Sequence, residues 1–188
     1  MNARRAAKGC ALLVSSLLLC ACASIPLGTL WQLRDFGPAD LATIDPEEVR
    51  VAVRIDPPPL RTDPQRTRLS LLLTPRNGAP PERYSFGLRG SQIFRAVLAP
   101  QHDPHWQVME LNDTARSRMR ALQPRLLAAR QLYKTASLKV DSKFVGEPPP
   151  ELQYMMFSIR VQLDETRPPI VLFDRARLKI ERETETSQ

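Results

Sequence analysis

The sequence predicts an α+β fold: an antiparallel β-sandwich or single curled sheet of six to seven strands, with one Pro-kinked amphipathic helix at about residues 112–134 packed on it. Three observations lead there. Short segments that alternate apolar and polar residues recur along the chain, most of them ended by proline clusters. A single longer segment carries helical periodicity. The connections between strand-like segments run about five to ten residues, which suits antiparallel pairing rather than strand-helix-strand crossovers. With 188 residues, 43% of them hydrophobic, the chain has room for one domain with a core, and its 18 Pro and 7 Gly follow no fibrous period.

The first strand is read over 48–56 (EVRVAVRID), where Val49, Val51, Val53 and Ile55 alternate with Arg50, Ala52, Arg54 and Asp56. Pro57 to Pro59 end it, because such a run cannot donate ladder hydrogen bonds. A second strand covers 66–74 (RTRLSLLLT) and closes on Pro75 and the Asn77-Gly78 turn signal. Tyr84, Phe86 and Leu88 share one face of a third, over 83–88. Residues 91–98 (SQIFRAVL) fit a short helix or another strand equally well. Trp106 to Leu111 reads as a short strand leading into the helix.

In the helix, Leu111, Ala115, Met119, Leu122, Leu126, Ala129 and Tyr133 recur at spacings of three and four, which places them on one stripe. Asn112 or Asp113 can cap its first amides. Pro124 lacks the N–H that would bond the Arg120 carbonyl, so a kink is expected there. The opposite face carries Arg116, Arg118, Arg120, Arg125, Arg130 and Lys134, and within the segment only Asp113 opposes them. Three strands follow. Residues 135–145 place Ala136, Leu138, Val140 and Phe144 inward; residues 152–164 place Met155, Phe157, Ile159, Val161 and Leu163 on one face; residues 170–181 do the same with Leu172, Ala176, Leu178 and Ile180. Asp174 falls in phase with that last apolar face, which calls for either a bulge or a buried, partnered carboxylate.

Ahead of this domain, Arg4, Arg5 and Lys8 precede an apolar run at 9–19 (GCALLVSSLLL) that is too short to span about 30 Å of hydrocarbon as a helix. The run ends in Leu19-Cys20-Ala21-Cys22. This resembles the lipobox of bacterial lipoproteins, with Leu at minus three, a small residue at minus one and Cys at plus one. The resemblance implies cleavage before Cys22, a diacylglyceryl thioether on its sulfur and an acyl chain on its new amino group; no other cofactor is expected. Cys20 competes less well as acceptor, because Leu19 would stand at minus one. Ala23 and Ser24 differ from the Asp that resembles an inner-membrane retention signal, which favours the outer membrane, periplasmic face. The expected organisation is a signal peptide at 1–21, a lipid anchor and short apolar tether at 22–46, a β-rich domain at 47–182 and a polar tail at 183–188. In the tether, Leu30, Trp31 and Phe36 either pack on the domain or lie at the lipid interface.

The formal charge of +7 shrinks under this reading. Without Arg4, Arg5 and Lys8, 24 basic residues face 20 acids, a net of +4, and residues 113–134 alone hold six cations against one anion. Nucleic acid is absent from such a compartment, so the basic helical face suits an acidic partner or lipid phosphates. With Cys10 and Cys20 removed and Cys22 acylated, the folded part holds no thiol, which excludes thiol catalysis and Cys-ligated metal. The two histidines sit in His102-Asp103-Pro104-His105, read as a polar loop, with no fourth ligand at a recognised spacing. No phosphate-binding loop, nucleophile elbow or paired-His helix occurs, so neither enzyme activity nor a metal site is expected.

Two functions follow as expectations. The first is a non-catalytic scaffold or partner-binding module in an envelope assembly, similar in outline to the β-sandwich lipoproteins that anchor type VI secretion machines and to periplasmic immunity lipoproteins. The second is a binder of a lipid or other amphiphile between sheet and helix, in a cavity lined by Met119, Leu122, Leu126 and Phe157.

Overall fold

The structure is a computed structural model that describes residues 37–93, 98–99, 103–128, 131–145 and 148–180. Cys22, Leu30, Trp31, Phe36 and Arg130, together with the expected signal peptide and polar tail, lie outside the described residues. In chain order the elements are α1 (Pro38–Thr43), β1 (Arg50–Asp56), β2 (Arg61–Thr62), β3 (Arg68–Pro75), β4 (Glu82–Gly90), β5 (Trp106–Leu111), α2 (Asp113–Ala128), β6 (Tyr133–Asp141), β7 (Phe144–Val145), β8 (Tyr154–Gln162) and β9 (Ile170–Lys179). Seven strands form one curled antiparallel sheet, a half-barrel in the order β6-β3-β4-β5-β1-β8-β9, and β2 pairs with β7 in a separate two-stranded ribbon. With α2 as the one main helix among the described residues, the class is α+β, as the alternation and the short connections require. No helix of the described residues is long and apolar enough to cross a membrane.

Val49, Val51, Val53, Ile55, Leu69, Leu71, Leu73, Phe86, Leu88, Met109 and Leu111 fill the inner side of the curl. Ala115, Met119, Leu122 and Leu126 of α2 pack onto them. Burying four such side chains stabilises the helix far more than its intrinsic propensity does, since 16 residues are marginal alone. Leu41 and Ile44 join the same core, so residues 37–46, read from sequence as tether, are already part of the packed unit. α1 opens on a reciprocal contact in which the Gly37 N–H donates to Asp40 Oδ2 at 2.9 Å.

Three details differ from the sequence reading. The alternation in β1 reads as a half-buried strand, yet Arg50 and Ala52 on its second face are buried too: Ala52 clusters with Leu98, Ala99, Trp106 and Val108, and Arg50 lies against Glu110. Phe144 does not continue the inward row of β6. It is exposed on β7, whose pairing with β2 (Thr62↔Phe144) takes the chain out of the main sheet. Among the described residues the helix covers Asp113–Ala128, and Tyr133 and Lys134 belong to β6.

The Asp174 question is settled by backbone geometry. Across β8 and β9 the register runs Val161↔Ile170 and Arg160↔Val171, then shifts to Ile159↔Phe173 and again to Phe157↔Ala176. These irregularities carry Asp174 to the exposed side while Leu172 and Ala176 stay buried. Arg175 takes the left-handed conformation at φ 50°, and its N–H donates to Ser158 Oγ at 2.9 Å.

Candidate functional site at the diverging edge of β4

The site begins where β4 and β5 part. β4 pairs with β3 from Glu82 to Gly87, but with β5 only through Leu88↔Leu111, Arg89↔Glu110 and Gly90↔Met109. The strand β5 stops there because Asn112 turns the chain into α2. Its side-chain Oδ1 accepts from the Ala115 N–H at 2.9 Å and its carbonyl from the Arg116 N–H at 2.9 Å, the pattern of an N-cap. Asn112 sits against β4 at the one residue that allows it: a Cβ on Gly87 would lie 2.5 Å from Asn112 Nδ2, and the Asn112 N–H donates to the Gly87 carbonyl at 3.1 Å.

Beyond that point the β4 edge is open to α2. In an antiparallel strand the N–H and C=O of one residue face the same neighbour, and alternate residues face opposite neighbours. The Leu88 N–H donates toward β3, to the Thr67 carbonyl, whereas the Gly87 carbonyl faces the β5 side. Arg83 and Ser85, in phase with Gly87, therefore turn their backbone groups toward the helix. A groove of about 450 Å³ separates the two elements, lined by Arg83, Tyr84 and Phe86 on the strand side and Arg118, Leu122 and Arg125 on the helix side.

The expected basic face is largely consumed inside the domain. Arg116, with its side chain only 12% exposed, pairs with Glu110 at 3.1 Å, with Glu47 at 2.7 Å and with Asp113 at 3.5 Å. Arg120 meets Glu47 at 2.6 Å, and Arg125 meets Glu82 through two contacts of 3.0 and 3.1 Å. Glu47, Glu82 and Glu110 thus join Asp113 in opposing the helix, none of them in the 113–134 segment. Lys134 stands exposed on β6 rather than on the helix. Arg118 remains: it is exposed, and among the described residues no carboxylate lies within ion-pair distance of it or of Arg83. Arg83 was not singled out by sequence reasoning.

Glu82 anchors one wall of the groove. It accepts from the Tyr84 hydroxyl at 2.6 Å and the Tyr133 hydroxyl at 3.1 Å. The Tyr84 bond, with help from Tyr133 and the Arg125 charge, holds the Glu82 carboxyl below its usual range against the opposing effect of burial. Burial first, then the bond to Glu82 and its charge, pushes the Tyr84 phenol up to about 12. At Glu110 burial pushes the carboxyl up, but hydrogen bonds from Arg89 and Ser91 and the charges of Arg50 and Arg116 outweigh it, leaving it below the ordinary value.

Of the residues expected to line a cavity for an amphiphile, Leu122 borders the groove beside β4. Met119, Leu122 and Leu126 are buried in the core, and Phe157 packs against Phe173 with ring centroids 5.0 Å apart. Asp103 of the His-Asp-Pro-His loop pairs with Arg54 at 2.9 Å, while His102 lies outside the described residues. Among the described residues, no cluster of three or more His, Cys, Asp or Glu could hold a metal ion. Comparison with family models, with curated proteins and with solved structures finds no match to this chain.

Proposed function

We propose that the protein is a lipid-anchored module on the periplasmic face of the outer membrane, held by acyl chains on Cys22, that binds a protein partner in an envelope assembly and performs no chemistry of its own. The anchoring half rests on the charged leader, the short apolar run and Leu19-Cys20-Ala21-Cys22. Three acyl chains, at about 0.8 kcal/mol per buried CH₂, hold such a domain far more firmly than one chain can. The observation that carries the binding half is the contrast within α2: Arg116, Arg120 and Arg125 are neutralised by carboxylates of the domain, whereas Arg118 stands free beside an open groove. Cations left unpaired around a concavity favour an acidic partner by raising its rate of encounter and by rejecting basic competitors. A kink at Pro124, which has no N–H to offer the Arg120 carbonyl, belongs to the same reading.

Two experiments test the halves separately. Cells fed a fatty-acid probe should label the wild-type chain and not Cys22→Ser; label retained on Cys22→Ser refutes the acylation site. Affinity capture from intact envelopes should recover partners with the wild-type chain that Arg118→Glu loses. Equal recovery by both would show that the groove is not the binding face.

A further inference from the structure

We propose that the groove between β4 and α2 receives an extended acidic segment of a partner protein, which adds to the sheet as a strand along residues 82–86. The proposal rests on the partner-binding reading above and names its site and the chemistry of its partner. Strand addition needs an unpaired edge, room beside it and a reason to prefer one partner. The edge exists because the Asn112 cap against Gly87 takes β5 away from β4 after three paired positions, leaving the backbone groups of Arg83 and Ser85 turned toward the helix. The room is the groove of about 450 Å³. A helix packed onto the edge would close such a space; here Arg118, Leu122 and Arg125 form its far wall.

Charge decides the partner. Arg118 stands on the helix side of the groove, exposed and with no carboxylate of the described residues in ion-pair range, while the exposed Arg83 on the strand side acts at longer range on Asp141. Arg125 is already held by Glu82 and shapes the wall rather than adding free charge. Phe86 and Leu122 give the floor an apolar strip, so alternate side chains of an incoming strand can be apolar and acidic. An anionic lipid surface would satisfy the arginines as well, but it would make no use of the backbone groups of Arg83 and Ser85. That difference separates the two.

The test uses the full-length lipidated chain in neutral detergent and four capped eight-residue peptides. These are an alternating Val-Glu peptide, two versions of it with every second backbone nitrogen methylated in one phase or the other, and its Val-Lys counterpart. The Val-Glu peptide should bind saturably. Methylation, which leaves every charge in place but removes backbone donors from one edge in each of the two possible phases, should weaken binding at least tenfold in the better phase, and the Val-Lys peptide should not bind. Arg118→Glu, exposed and unpaired, should retain the wild-type melting temperature and lose at least tenfold in affinity. The proposal is overturned if the Val-Glu peptide does not bind at millimolar concentration, if both methylated phases bind as well as the parent, or if Arg118→Glu binds unchanged. If the peptides fail while Arg118→Glu still loses envelope partners, strand addition falls and the anchored-binder reading stands.

Discussion

Arg116 on α2 and Glu110 on β5 meet at 3.1 Å with both side chains only 12% exposed, and this pair fastens the start of the helix to the sheet. Glu110 also receives Arg89 at 2.9 Å and faces Arg50 at 3.6 Å. One carboxylate therefore stands among three guanidinium groups, two of them largely buried. Removing one partner of a buried pair costs more than the pair ever contributes, because the remaining charge is left without compensation.

Glu110→Gln is accordingly expected to destabilise the fold by about 3 kcal/mol. Glu47→Gln, which removes a carboxylate that is 45% exposed from the same Arg116, should cost no more than about 1 kcal/mol. Urea denaturation checks the contrast: the midpoint of Glu110→Gln should fall well below that of Glu47→Gln at an unchanged slope. Equal midpoints would mean that Glu110 does not hold the buried arginines.

The same carboxylate sets an acid limit. Its folded pKa lies below the unfolded value of about 4.3, so its contribution is present above that pH and is lost as the pH falls through the folded pKa. Glu82 is shifted in the same direction and adds to the effect. Stability measured from pH 6 down to pH 2 should decline less steeply in Glu110→Gln than in the wild type. Parallel declines would sink the assignment.

Gly87 and Asn112 should be energetically coupled. Asn112→Ala removes the cap of α2 and is expected to cost about 1 kcal/mol. Gly87→Ala should cost a similar amount, because the new Cβ meets Asn112 Nδ2 at 2.5 Å and must displace the capping amide. In the double variant nothing is left to displace, so its loss should match that of Asn112→Ala alone. Strict additivity in a thermal-unfolding cycle would show that the two residues act independently.

The strands were legible because burial on one side of a sheet writes itself as alternation, and β1, β3, β4, β5, β8 and β9 lie within a few residues of their expected positions. The end of α2 was not. Tyr133 falls in phase with the helical stripe, yet it is the first buried residue of β6, where its hydroxyl donates to Glu82. Periodicity cannot separate a continuing helix from a strand that begins on the matching phase. The neutralised basic face was hidden for a different reason: Glu47, Glu82 and Glu110 lie 69, 34 and 6 residues before Arg116 and converge on α2 only through the curl of the sheet. The groove did leave a trace in the sequence, a glycine within the strand SFGLRG followed later by a capping Asn, but which strand the cap would touch depends on topology.

Tyr84 provides a spectroscopic reporter of the groove. Its phenol, raised to about 12, should remain protonated at pH 11, where an ordinary tyrosine near 10 is mostly ionised, and the titration followed by ultraviolet absorbance should show its amplitude displaced to the alkaline end. Because the folded pKa exceeds the unfolded one, the stability this group contributes is complete below about pH 10 and disappears as the pH rises through about 12. Tyr84→Phe should therefore flatten part of the alkaline loss of stability. Glu82→Gln should lower the Tyr84 pKa, since it removes the carboxylate that accepts the hydroxyl at 2.6 Å, but should not restore it fully, because burial is the larger cause. A Tyr84 titration unmoved by Glu82→Gln would place Glu82 away from the phenol and would remove the wall on which the groove depends.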